Sequence, residues 1–161
     1  MALPGGQVLW NIHPLVVHYP IALLAASVFV YFLAWIGRRE SWAWAGWWML
    51  GLETLGAALA IATGLYATAG VMIAPAVRQH ILHYHKRYMV AVLALSVLAC
   101  AWAMMARPLP RCGRLGFLAL LVLMAVLIVK GADYGDWMTY AYNAGGSLPQ
   151  PIEFGQYAIS T

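Results

Sequence analysis

Charged residues are scarce in this sequence. Only 9% of the 161 residues are Asp, Glu, Lys or Arg, whereas 64% are hydrophobic, and the mean hydropathy is +0.77. In soluble domains about 25% of the residues are charged. This composition therefore excludes a soluble domain and indicates an integral membrane protein in contact with lipid. The net charge of +4 comes from basic residues between apolar runs. We interpret these as topology signals and expect no nucleic-acid partner.

Cysteine is nearly absent as well. Cys100 lies in an apolar run and Cys112 in a turn rich in proline and arginine, so we expect no disulfide between them. No C-x-x-C-H stretch occurs, which excludes a haem attached covalently to this chain. A basic region before the first apolar run is missing, so we do not expect a cleaved signal peptide there. The sequence contains no hydrolase, transferase or nucleotide-binding motif that would indicate a stand-alone catalyst.

Long apolar runs, by contrast, occupy most of the chain. They predict an all-α fold, namely an integral membrane four-helix bundle over residues 1–142 with an extracytoplasmic tail at 143–161. Each run is long enough to cross a bilayer. The predicted spans are 14–36, 42–69, 88–106 and 115–140.

The basic residues predict the orientation of the bundle. The loops after the first and third runs hold five arginines: Arg38, Arg39, Arg107, Arg111 and Arg114. The opposite side holds four basic residues: Arg78, Lys86, Arg87 and Lys130. The five arginines lie in two short loops, where the positive-inside rule applies best. We therefore place these loops in the cytoplasm and both termini outside it.

All five histidines fall on one side of the membrane in this topology. His13 and His18 stand at the outer end of the first run, and His80, His83 and His85 stand just before the third. Polar side chains that can bind metals are rare at the end of a membrane-spanning helix, and they are usually functional. Because more than sixty residues separate the two groups, the fold itself must bring them together.

Two imidazoles that face each other across a bundle hold haem by its axial positions. The sequence predicts a b-type haem held by His18 and His85, with His13 and either His80 or His83 as the reserve pair; two haems would use both pairs. A cofactor also needs an apolar slot and cations for its propionates. Small residues for the slot are Gly56, Ala60 and Gly64, and the candidate cations are Arg78, Lys86 and Arg87.

Two other interpretations of the histidines stay open. Imidazole also suits copper and zinc, so the chain could be a non-haem metal protein used in transport or assembly. Alternatively, the chain is a purely structural subunit whose histidines only line an interface.

Glu53 is the one acidic residue deep inside an apolar run. A carboxylate at that depth is costly unless it is neutral, paired or hydrated. It is a candidate proton or quinol site, and the alternative is a protonated side chain bonded to a neighbouring helix.

The opening stretch, I-H-P-L-V-V-H-Y-P-I-A-L-L from Ile12, resembles the signature of the DUF2231 family of predicted bacterial membrane proteins. The resemblance covers Asn11 to about Tyr142 and implies four spans in a bacterial membrane. Together with the arginine count, it predicts a protein of the bacterial inner membrane with both termini periplasmic. His13, Pro14, His18 and Pro20 match the motif, and His85 is similar to the histidine that precedes the third span. A further family histidine near the end is replaced by tyrosine around Tyr140.

Family members occur beside c-type cytochrome modules, which implies redox work. We therefore predict an electron-transfer subunit of a larger redox complex, with haem near the periplasmic side. Its expected partners are a c-type cytochrome or other redox subunits.

Overall fold

The computed structural model describes residues 12–70, 79–106, 108–110 and 113–138, and all regular secondary structure in these segments is helical. Four helices cover most of them: α1 (His13–Gly37), α2 (Glu40–Gly70), α3 (Ile81–Ala106) and α4 (Arg114–Asp136). Each contains a segment of 23 to 29 residues that is long and apolar enough to cross a membrane. The predicted all-α, four-helix membrane bundle is confirmed.

Three helix boundaries differ from the predicted spans by two residues or more. α3 begins at Ile81, seven residues before the predicted start at Tyr88. Ile81 and Leu82 are buried against Met138, and this packing continues the helix beyond the apolar run, through His83 and His85. α2 begins at Glu40 instead of Trp42, and α4 ends at Asp136. Of the rest of the predicted fourth span, residues 137–138 are described, whereas residues 139–140 and the tail lie outside the described residues.

The helices pack in a closed ring, with α1 most closely on α2 and α3 most closely on α4. Their buried positions alternate by three and four residues, as in left-handed bundles. In α1 the inward residues are Pro20, Leu24, Ser27, Tyr31 and Ala34, and in α4 they are Phe117, Leu121, Met124, Ile128 and Gly131. Large apolar side chains remain exposed on the outer faces of all four helices. In a membrane, lipid covers these faces.

Aromatic packing closes the core at one end of the bundle. Tyr31 meets Phe117 edge-on with ring centroids 5.0 Å apart, and its hydroxyl donates to the Pro108 carbonyl of the α3–α4 connection. His13 lies eighteen residues before Tyr31 on α1, which corresponds to roughly 27 Å of helix. The histidines therefore lie at the opposite end of the bundle.

Glycines of α2 allow α1 to approach closely. A Cβ atom on Gly46 would stand 2.9 Å from the Tyr31 ring, and one on Gly56 would stand 2.7 Å from the Tyr19 ring. Helix pairs in membranes commonly use small residues in this way. The same contact repeats at the histidine end, where Gly64 faces His13.

Candidate functional site

His13 occupies the first turn of α1 and points toward α2. Its Nδ1 lies 3.1 Å from the hydroxyl oxygen of Thr63, and that hydroxyl itself donates to the Ala60 carbonyl at 3.0 Å. Because the single threonine hydrogen is already used, Thr63 accepts from His13 and Nδ1 carries the proton. The tautomer follows from this hydrogen-bond pattern, and it leaves the Nε2 lone pair available.

His85 lies on α3, where α4 fixes its ring in the same way. Its Nδ1 is 2.7 Å from the Gly131 carbonyl oxygen. A carbonyl can only accept, so Nδ1 is again the donor and Nε2 takes no part in the bond. In both half-buried imidazoles, Nε2 is therefore the unprotonated nitrogen.

These two rings are neighbours across the bundle. Their centroids are 6.4 Å apart, and their planes are nearly perpendicular, at 88°. In the described part of the chain, this is the one ring contact between two histidines. It joins α1 to α3, which are not consecutive in sequence, so the bundle as a whole creates the pair.

Glycines stand directly against both rings. A Cβ atom on Gly64 would lie 2.9 Å from His13 Cε1, and one on Gly135 would lie 3.2 Å from His85 Cε1. Gly131 is buried beneath Tyr88 and Met89, which brings its carbonyl within reach of His85. We call the assembly the two-histidine site; its residues are His13, Thr63, Gly64, His85, Gly131 and Gly135.

The other three histidines lie apart from this pair. His18 is exposed and its Nδ1 contacts the Pro14 carbonyl. Five residues along a helix rotate a side chain by about 140°, so His18 cannot face the same neighbour as His13. His80 and His83 are exposed, and the His83 ring contacts Tyr84. The structure therefore pairs His85 with His13, the reserve ligand on the first helix, and not with His18.

The small residues of α2 that were predicted to line an apolar slot for haem, Gly56, Ala60 and Gly64, have different neighbours in the structure. Gly56 is covered by Tyr19 and Pro20, so α1 fills the space there. Gly64 lies against the His13 ring, and the backbone of Ala60 also hydrogen-bonds His13. Arg87 is exposed one turn or less from His85 on α3, and Arg78 lies outside the described residues.

Sequence reasoning missed Thr63, Gly131 and Gly135, although the heptad spacing carries a signal for the histidines. His13 is seven residues before the buried Pro20, and His85 is seven residues before the buried Val92. His18 falls outside the inward stripe of α1. Extending each stripe to the helix end would have selected the observed pair.

Glu53 forms a second polar site deeper in the bundle. It is fully buried, Ser96 Oγ donates to its Oε1 at 3.1 Å, and Thr54 Oγ1 lies 3.5 Å from its Oε2. The side chain is thus bonded to a neighbouring helix.

Comparison with known proteins places the chain in a family without describing its chemistry. No curated protein and no solved structure matches it. The signature of DUF2231, a family described as predicted membrane proteins, matches residues 10–147, and the chain belongs to this family.

Proposed function

We propose that the protein is a membrane-embedded b-type haem protein that transfers electrons as a subunit of a larger redox complex, with His13 and His85 as axial ligands. The observation that carries this proposal is the pair of imidazoles on α1 and α3, each with Nδ1 bonded to a protein acceptor. Metal-bound histidines are generally oriented in this way, because the bond at one nitrogen makes the other nitrogen the ligand.

The distance between the rings supports a single shared metal. Imidazole nitrogens bind metals at about 2 Å, so two imidazoles on opposite sides of one ion have ring centres roughly 6 Å apart. The separation of His13 and His85 is 6.4 Å. Nearly perpendicular ring planes do not conflict with such an arrangement, because each ring can rotate about its own metal–nitrogen bond.

The small number of protein ligands favours haem over a bare ion. Structural zinc sites use four protein ligands and catalytic ones use three. Within the described segments, no group of three or more His, Cys, Asp or Glu side chains suits a metal ion. A porphyrin brings four nitrogens of its own and requires only two from the protein.

The surroundings of the two-histidine site also fit a flat cofactor. Gly64 and Gly135 present no side chain toward the rings, and Tyr88 and Met89 supply apolar surface beside Gly131. Arg87, which is exposed and two residues after His85 on α3, is the cation that we propose for a propionate. When bound, the haem would supply one-electron transfer, while the protein residues orient the imidazoles.

The position of the site favours exchange with a partner at one membrane surface. The site lies at the end of the bundle opposite the Tyr31 and Phe117 layer, and the arginine bias favours the periplasmic side for that end. A c-type cytochrome or another extracytoplasmic redox subunit is the partner that we propose there.

Spectra of matched histidine variants test the proposal. The purified protein, produced in haem-replete cells, should show a low-spin b-type spectrum. His13→Ala and His85→Ala should each lose that spectrum or the haem itself. His18→Ala and His83→Ala remove exposed histidines from the same two helices and should leave it unchanged.

Two results would support the alternatives. Stoichiometric copper or zinc that is lost in His13→Ala and His85→Ala, with no porphyrin absorbance, would indicate a non-haem metal protein. A stably folded protein that binds neither haem nor metal would indicate a structural subunit.

A further inference from the structure

Glu53 lies near the middle of a membrane-spanning helix. It is thirteen residues after the start and fifteen residues before the end of the segment Glu40–Thr68. Its side chain is 0% exposed, and it points inward with Leu50 and Ala57. Neither membrane surface is therefore within reach of its carboxyl group.

The hydrogen-bond partners of the carboxyl group carry no charge. Ser96 of α3, itself fully buried, donates to Oε1 at 3.1 Å, and Thr54 lies beside Oε2 at 3.5 Å. A buried carboxylate without a cationic partner is strongly disfavoured, because its desolvation is not compensated. The protonated, neutral form carries no such penalty.

Among the described residues, the buried polar side chains other than Glu53 are Ser27 and Ser96, and neither of them carries a charge. The titratable side chains in the same core are Cys100 of α3 and Tyr31 of α1, both of which are ordinarily neutral. The residues that α4 contributes to this core are apolar: Phe117, Leu121, Met124 and Ile128.

The hydroxyl of Thr54 fits a protonated partner. Its hydrogen is directed at the Leu50 carbonyl, 2.8 Å away, and its oxygen is also 3.3 Å from Cys100 Sγ. With that hydrogen used, the oxygen is available to accept from a proton on Glu53 Oε2. Ser96 then donates to Oε1, the carbonyl oxygen of the acid. In this arrangement the Ser96 hydroxyl, the Glu53 carboxyl, the Thr54 hydroxyl and the Leu50 carbonyl form one chain of hydrogen-bond donors and acceptors.

We propose that Glu53 is a proton-binding site in the membrane core, which holds an exchangeable proton at neutral pH between Ser96 and Thr54. Of the two ligands that its chemistry allows, a proton and a quinol, the packing favours the proton. Leu50, Ser96 and Thr54 enclose the carboxyl group, so a quinol ring would have to separate α2 from α3. The site lies apart from the two-histidine site, and proton binding there does not require haem.

Infrared spectroscopy of the purified full-length protein tests this site directly. At neutral pH we expect a carbonyl stretch of a protonated carboxylic acid, which disappears in Glu53→Gln and shifts in D₂O as the proton exchanges. Glu40→Gln, an exposed glutamate on the same helix, is the matched control and should retain the band. Ser96→Ala removes the hydrogen bond to Oε1 and should move the band to higher frequency.

Several outcomes would overturn the proposal. The band would be absent from the wild-type protein if Glu53 were ionised. It would persist in Glu53→Gln if another residue carried the proton. A band that does not shift after prolonged incubation in D₂O would show a fixed structural contact instead of a proton-exchange site. If Glu53→Gln does not fold, an unmoved band in Ser96→Ala would still contradict the assignment.

Discussion

Thr63→Val gives the sharpest test of how the two-histidine site is held. Valine has nearly the same shape as threonine but lacks the hydroxyl that accepts the His13 Nδ1 proton at 3.1 Å. His13 then loses the contact that fixes its ring and its tautomer. Removing a hydrogen-bond partner behind a metal-bound histidine typically weakens metal binding 10- to 100-fold, which corresponds to about 1.4 to 2.7 kcal/mol. We expect a loss of haem affinity in this range.

Thr68→Val is the matched control for this substitution. Thr68 lies on the same helix, and its hydroxyl donates to the Leu65 carbonyl at 2.9 Å, much as Thr63 donates to Ala60. Both substitutions remove a hydroxyl–carbonyl bond, whose net contribution to stability is about 1 kcal/mol. Of these two threonines, Thr63 is the one that contacts His13.

Titration of the haem-free protein with haemin in detergent measures the effect. Thr63→Val should bind more weakly than the wild type, and Thr68→Val should match the wild type. Equal affinities for the two variants would refute the assignment of His13 as a ligand oriented by Thr63.

Three further predictions concern packing, charge and topology. Gly64→Ala should lower haem affinity, because the added Cβ would meet His13. In Gly51→Ala the added Cβ would enter open space, so this control should only stabilise the helix by about 1 kcal/mol through its higher propensity. Haemin titration and thermal unfolding measure both variants. Glu53 is eleven residues, or about 16 Å of helix, from Gly64 of the two-histidine site. At an effective dielectric constant of about 20, a unit charge on Glu53 changes the energy of a unit charge at the two-histidine site by about 1 kcal/mol. The midpoint potential should therefore depend on pH where Glu53 exchanges its proton, by about 45 mV in total, and lose this dependence in Glu53→Gln. A cysteine at His83 should react with an impermeant reagent in intact cells and one at Arg38 should not; the reverse pattern would invert the topology.

The architecture was predictable because it follows from composition and length. Four apolar runs of bilayer length, with short arginine-rich loops after the first and the third, admit few arrangements other than a bundle. The helix ends were less predictable, since Ile81 and Leu82 join α3 only through packing on Met138, a contact between segments more than fifty residues apart.

A contact between histidines of the first and third helices was predictable, but the pair that makes it was not. Five histidines on one side of the membrane indicated a shared layer, and His85 was among the preferred residues. Hydropathy alone does not distinguish His13 from His18, because that choice depends on the rotational position of α1. The acceptor at Thr63 is a hydroxyl that also donates to the Ala60 carbonyl of its own helix, and the acceptor at Gly131 is a backbone carbonyl. Neither has a sequence signature.

The reduced-minus-oxidised absorption spectrum of the purified wild-type protein is the most direct test of the central claim that His13 and His85 hold one haem. A six-coordinate, low-spin b-type spectrum with one haem per chain is the predicted result. A protein from haem-replete cells that shows no porphyrin absorbance, or only a five-coordinate, high-spin signal, would contradict it.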